Sequence, residues 1–144
     1  MLDIAVVRLD MGLPLPAYAR EGDAGIDLLA RVDAAVQPSG GRVLVPTGIA
    51  VAIPPGYGGF VLPRSGLALK HGISVVNAPG LIDSAYRDEI KVIVLNTDPV
   101  LAYEIHRGDR IAQLVIQRVE EISWTVVDTF DDDGRGGGFG HSGR

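Results

Sequence analysis

The chain has 144 residues, a mass of 15.2 kDa and 47% hydrophobic residues, which is the size and apolar content of one domain. A net charge of −5 and a pI near 5.0 exclude a surface built to track a nucleic-acid backbone, although a local group of arginines and amides can still bind one small anion. Cysteine is absent, which removes disulfides, thiolate metal sites and cysteine nucleophiles and suits a reducing cytosol.

The N-terminal "MLDIAVVRLD" carries Asp3 and Arg8 where a secretion signal would be apolar, so none is expected. No apolar run approaches the roughly 18 residues of a membrane helix. A cytoplasmic protein without a nucleic-acid or membrane partner is the expectation. Valine- and isoleucine-rich runs then predict strands at 4–9, 42–54, 58–63, 73–77, 89–97, 110–119 and 124–130. Turns such as "PPGYGG", "NTDP" and "RGD" separate them, the spacing of an all-β sandwich or barrel. In "EIKVIVL" both alternating faces are apolar, which predicts a strand covered on both sides. Only "RSGLALKHG" reads as a helical turn, with Ser65 placed to cap it and Gly72 to end it. "DDDG" at 131–134 reads as a solvated tether, dividing a body at 1–133 from a glycine-rich tail at 134–144. Half of "RGGGFGHSGR" is glycine, too little apolar surface to offset the entropy of ordering it alone.

Several stretches carry possible chemistry. In "PRSGLALKHGI", Arg64 is a forked donor and Ser65 and Gly66 stand at a helix start, which suits phosphate; taken alone, an ordinary capped turn is the commoner case. "NAPGLIDSAYRDEI" has a turn at Pro79-Gly80, with the pattern resuming as a hairpin arm. Asn77 and the hairpin backbone could read a base edge, while Asp83 and Tyr86 by themselves read as a turn aspartate and a core tyrosine. Asp27 at a strand start must be solvated, paired or functional. Gln113 among apolar neighbours needs a hydrogen-bond partner. No P-loop and no nucleophile elbow occurs. His71, His106 and His141 share no metal-ligand spacing.

The order of these stretches is more specific than any one of them. "AGIDLLA", "PRSGLALKHGI", "GLIDSAYRDEIKV", "RIAQLVIQ" and "RGGGFGHSG" resemble, in sequence, the signature segments of the trimeric deoxyuridine triphosphatases, from Ala24 to Gly143. The resemblance implies a jelly-roll-like β-barrel, a homotrimer with active sites shared between subunits, and Mg2+-dependent hydrolysis of dUTP to dUMP and pyrophosphate. It assigns Asp83 to activating water against the α-phosphorus. Asn77, Gly80, Leu81 and Ile82 would receive uracil, with Tyr86 under the deoxyribose and Lys91 also binding the substrate. Arg64, Ser65, Gly66 and Gln113 would hold phosphates, and Asp27 would support them. The tail would close as a lid, with Arg135 and Ser142 at the γ-phosphate, Phe139 stacked on uracil, and Gly140 and His141 in contact. Magnesium would ride on the triphosphate without a direct protein ligand. Asp88 departs from the glycine common in relatives and implies a changed salt bridge or subunit contact rather than changed chemistry. A dCTP deaminase of shared fold and a catalytically silent nucleotide-binding barrel are the rival readings. The hairpin argues against the first, and Asp83 and the tail argue against the second.

Overall fold

Valine and isoleucine branch at Cβ and pack well on a pleated surface, and most of the runs they dominate become strands. The computed structural model describes residues 2–131 and Gly134. In chain order the strands are β1 (Ala5–Arg8), β2 (Ile26–Leu29), β3 (Ala34–Val36), β4 (Gly41–Pro46), β5 (Ile49–Ala52), β6 (Tyr57–Leu62), β7 (Ile73–Val75), β8 (Gly80–Ile82), β9 (Lys91–Asn96), β10 (Tyr103–Ile105) and β11 (Arg110–Arg118), with helix α1 (Ser65–His71) between β6 and β7. They form antiparallel sheets ordered β2-β11-β6-β8, β4-β9-β7, β1-β5 and β10-β3. No ring of ladders closes among the described residues. The jelly-roll arrangement wraps these separate sheets around one core.

That core is aliphatic. Leu28, Val36, Val45, Ile53, Ile90, Val92, Val94 and Ile105 are each at most 1–2% exposed, and each full burial contributes about 1.5–3 kcal/mol. On β9 one face, Val92 and Val94, is fully buried, while Ile93 and Leu95 on the other are half-covered. Asn96 sits in the same core at 0% exposure. Its amide donates to the carbonyls of Val36 at 3.0 Å and Leu101 at 2.8 Å, and its Oδ1 accepts from the Asp98 amide at 2.9 Å. A buried polar group is tolerated when it is this fully paired.

Three expectations need correction. Segment 124–130 forms no strand; Trp124, Val126 and Phe130 are 86%, 93% and 86% exposed. Among the described residues its β-favouring side chains find no strand to pair with, and an unpaired strand is not stable by itself. The two arms flanking Pro79-Gly80 do not pair with one another as a hairpin: β7 joins β9, while β8 crosses to β6. Ser65 is the first helical residue and caps nothing. Arg64 holds the cap position with extended backbone (φ −92°, ψ 126°) and no side-chain cap bond. Gly72 ends α1 as expected, in the left-handed region at φ 64°, with its amide on the Ala68 carbonyl at 3.1 Å.

Candidate active site

Two clefts carry the chemistry-bearing residues, and no residue lines both. The first, about 180 Å3, is lined by Asn77, Gly80, Leu81, Ile82, Tyr86 and Lys91 over an apolar floor that includes Val61, Val75, Ile90 and Val92. It exists because β8 leaves one sheet to pair with β6 while β9 stays in the other, so the sheets part and expose backbone between them. Gly80 is buried against β6, where an added Cβ would lie 3.2 Å from the Val61 Cβ. Any side chain at Gly80 would therefore narrow the slot.

Asp83 and Tyr86 close one turn beside this cleft, with the Tyr86 amide donating to the Asp83 carbonyl at 3.1 Å. Asp83 is exposed and stands outside the lining residues. The Tyr86 hydroxyl donates to the Glu89 carbonyl at 2.8 Å, so the ring is a tethered cleft wall rather than the core tyrosine that the residues alone suggested. Asp88 forms no ion pair among the described residues. Its neighbour Arg87 donates to the carbonyls of Ser84 and Tyr86.

The second cleft, about 420 Å3, is lined by Asp27, Arg64, Ser65, Gly66, Leu67, Lys70, His71 and Gln113. Residues far apart in sequence meet here because β11 lies between β2 and β6, with Gln113 opposite Asp27 on one side and Leu62 on the other. Arg64 Nε pairs with Asp27 at 2.8 Å, Arg110 approaches the same carboxylate at 3.6 Å, and Arg64 Nη1 donates to the Arg110 carbonyl at 3.1 Å. Asp27 is thus a paired carboxylate. The Gln113 amide donates to the Pro63 carbonyl at 2.9 Å, the partner its position demanded. The first helical bond runs from the Ala68 amide to the Arg64 carbonyl at 3.0 Å, which leaves the amides of Ser65, Gly66 and Leu67 ahead of the helical ladder. An added Cβ at Gly66 would meet nothing within 4 Å, so the backbone there is open to a ligand.

Every expected site residue that the structure describes lies in or beside one of these clefts. Arg135, Phe139, Gly140, His141 and Ser142 lie outside the described residues. Sequence reading missed Lys70 and His71 as cleft residues. Their helical spacing from Gly66 and Leu67, four positions on, is the signal that finds them. The cationic set of Arg64, Lys70 and exposed amides can neutralise a polyphosphate, while the other cleft, with Asn77 over an apolar floor, suits a planar base.

A family model described as dUTPase matches residues 12–143. A deoxyuridine 5′-triphosphate nucleotidohydrolase of Thermobifida fusca (strain YX) is 56% identical over 141 residues, covering 97% of this chain and 78% of that protein. The protein of the same name from Mycobacterium leprae (strain TN) is 55% identical over 146 residues, covering 97% of this chain and 94% of its own. Among solved structures, the Staphylococcus bacteriophage 80alpha dUTPase with dUPNHPP superposes with a TM-score of 0.91 at 24% identity over 100% of both chains. A mutant dUTPase from phage phi11 of S. aureus, described as coordinating a structural Mg(II) ion, gives 0.83 at 23% identity over 91% of this chain and 100% of that one. These two establish likeness of fold. With four of its five signature segments contributing residues to the two clefts, a family model spanning residues 12–143 and relatives covering 97% of its length, this chain belongs to the dUTPase family.

Proposed function

We propose that the protein hydrolyses dUTP to dUMP and pyrophosphate in the cytoplasm, as a homotrimer whose active sites lie between subunits, keeping uracil out of DNA and supplying dUMP for thymidylate. The observation that carries this reading is the pair of clefts: a slot with base-sized selectivity and a separate arginine-bearing cleft suited to phosphates.

Uracil enters the slot against Asn77 and the β8 backbone, where close packing of Gly80 on Val61 leaves no space for the methyl of thymine. Tyr86 packs under the sugar, where a 2′-hydroxyl would collide with its ring. Arg64, Ser65, Gly66 and Gln113 bind the phosphates. Asp83 takes a proton from water as its oxygen bonds to the α-phosphorus. The bond from that phosphorus to the bridging oxygen breaks, and pyrophosphate leaves with the electron pair. A carboxylate does this once it is held within hydrogen-bond reach of the water, and charge neutralisation around the phosphates provides the rest.

Among the described residues no three His, Cys, Asp or Glu side chains gather around one point. A magnesium ion would arrive on the triphosphate, keep its waters and supply charge neutralisation there, and Asp27 and Asp83 would be the carboxylates that order those waters. Arg135, Phe139 and Ser142 of the tail complete the site as a lid.

The clefts share no lining residue, which supports a site assembled from the slot of one subunit and the phosphate cleft of another. Exposed Ile122, Trp124, Val126 and Phe130, together with an apolar groove of about 200 Å3 that includes Ile4, Val6, Ile26 and Ile116, supply surface for that assembly. A pyrophosphate-release assay with magnesium on dUTP, dCTP, dTTP and UTP tests the activity. Turnover of dUTP alone supports it; ammonia from dCTP would replace it with a deaminase, and no turnover would leave a binding protein. Size-exclusion at about three times the chain mass tests the assembly.

A further inference from the structure

Glu89 serves no step derived above, yet charge and hydrogen bonds converge on it. Its Oε1 accepts from the Gly48 amide at 2.8 Å and from Arg31 Nη1 at 3.2 Å, and its side chain is 13% exposed. Its own carbonyl accepts the Tyr86 hydroxyl. The next residue is fixed as firmly: the Ile90 amide donates to the Ile49 carbonyl at 2.9 Å. The Ile90 carbonyl accepts from the Thr47 amide at 3.1 Å and the Thr47 hydroxyl at 2.7 Å.

Behind this clamp stands a second layer. Asp10 bonds Arg107 through both oxygens and approaches Arg31 Nε at 3.5 Å, while Arg107 donates to the Arg31 carbonyl at 2.8 Å. Gly48 makes the close approach possible. It sits at φ 77°, and an added Cβ would lie 3.1 Å from the Asp10 Cβ. The chain of contacts therefore runs from Arg107 through Asp10 and Arg31 to the Glu89 side chain, then from the Glu89 main-chain carbonyl to the Tyr86 hydroxyl, and through the Tyr86 amide to the turn that carries Asp83.

We propose that Glu89 is a positioning residue for sugar selection: clamped by Gly48 and Arg31, it holds the carbonyl that tethers the Tyr86 hydroxyl, and so keeps the ring where it excludes a ribose. This inference rests on the dUTP-hydrolase reading. A tethered aromatic rejects an extra hydroxyl only as far as it cannot swing away, so loosening its anchor admits UTP before it stops dUTP turnover.

The test is the ratio of kcat/KM for dUTP over UTP in the full chain with magnesium. Glu89→Ala should lower the ratio about tenfold, the effect of losing roughly one hydrogen bond's worth of anchoring. Glu89→Gln, which keeps an acceptor for Gly48 but not the charge for Arg31, should lower it less and stands in if the alanine variant does not fold. Tyr86→Phe removes only the tether. Adding Glu89→Ala to it should leave the ratio where Tyr86→Phe alone puts it, because both act through one bond. A ratio unmoved in the glutamate variants beside a lower Tm would mark a merely structural residue and overturn the proposal, as would additive effects in the double variant. Wild-type protein inert toward dUTP would instead remove the hydrolase reading itself.

Discussion

Both clefts are braced by arginine–carboxylate pairs, and the difference is where the pairs stand. Around the base slot they lie behind the wall. Asp10, Arg31, Arg107 and Glu89 bond each other and backbone groups, and none lines the slot. In the phosphate cleft the pair is the wall: Asp27 and Arg64 both line the space, at 23% and 30% side-chain exposure. A pair behind a wall fixes shape and is not exchanged for ligand. On the hydrolase reading, a pair in the wall would keep a cation ordered and exposed until phosphate competes for it, with the carboxylate as placeholder. Selection should therefore be stiff and affinity adjustable, and substitutions should separate the two.

The largest effect belongs to neither wall. Asp83→Asn leaves both clefts intact and removes the proposed proton acceptor, so kcat for dUTP should fall about 10²- to 10⁴-fold while binding of a non-hydrolysable dUTP analogue, measured by calorimetry, holds. Undiminished turnover would show that Asp83 does not activate the water.

Next comes Arg64→Ala, which strips the phosphate cleft of its forked donor. Charge-assisted bonds of this kind contribute about 1.5–3 kcal/mol, so KM should rise roughly 10- to 100-fold with the dUTP-to-UTP ratio unchanged. A shifted ratio would mean that the two walls are coupled and would break the comparison. Truncation after Asp133 should reduce kcat/KM by about tenfold or more, since one stacked base contributes roughly 1–3 kcal/mol. The truncated chain should keep its Tm. Full activity would remove the lid.

The phosphate cleft was far more legible in the sequence than the braces of the slot. Arg64, Ser65 and Gly66 are contiguous, and that Asp27 must be solvated, paired or functional and that Gln113 needs a partner follow from their apolar neighbours alone. Which atoms pair them was hidden, because Pro63 and Arg64 reach them only through the strand order β2-β11-β6. The brace of Glu89 joins positions 10, 31, 48, 89 and 107, and no local pattern marks such a set. Long strands were legible from their valine and isoleucine runs. The three-residue β3 and β10 were not expected, since a run that short has no period to read. Segment 124–130 had every local mark of a strand and lacks a partner among the described residues, which composition cannot report.

The smallest expected effect sharpens the comparison through acid stability. The Arg107 hydrogen bond is the main reason that the Asp10 carboxyl is held down to about 2, against an ordinary 3.8, with the Gly12 amide and Arg31 adding to it. A carboxyl lowered in the folded state binds protons more readily when unfolded, so its stabilisation is complete above about pH 4 and is lost as pH falls toward about 2. The brace behind the slot should consequently loosen in that window. Asp10→Asn removes the titrating group, so the variant should be slightly less stable at neutral pH and should show a shallower decline of Tm between those two pH values. Parallel Tm profiles for variant and wild type would mean that the Asp10–Arg107 contact contributes nothing to the wall. If the profiles converge in acid while Arg64→Ala tracks wild type throughout, the charges behind the wall and those within it are separate in the way their positions imply.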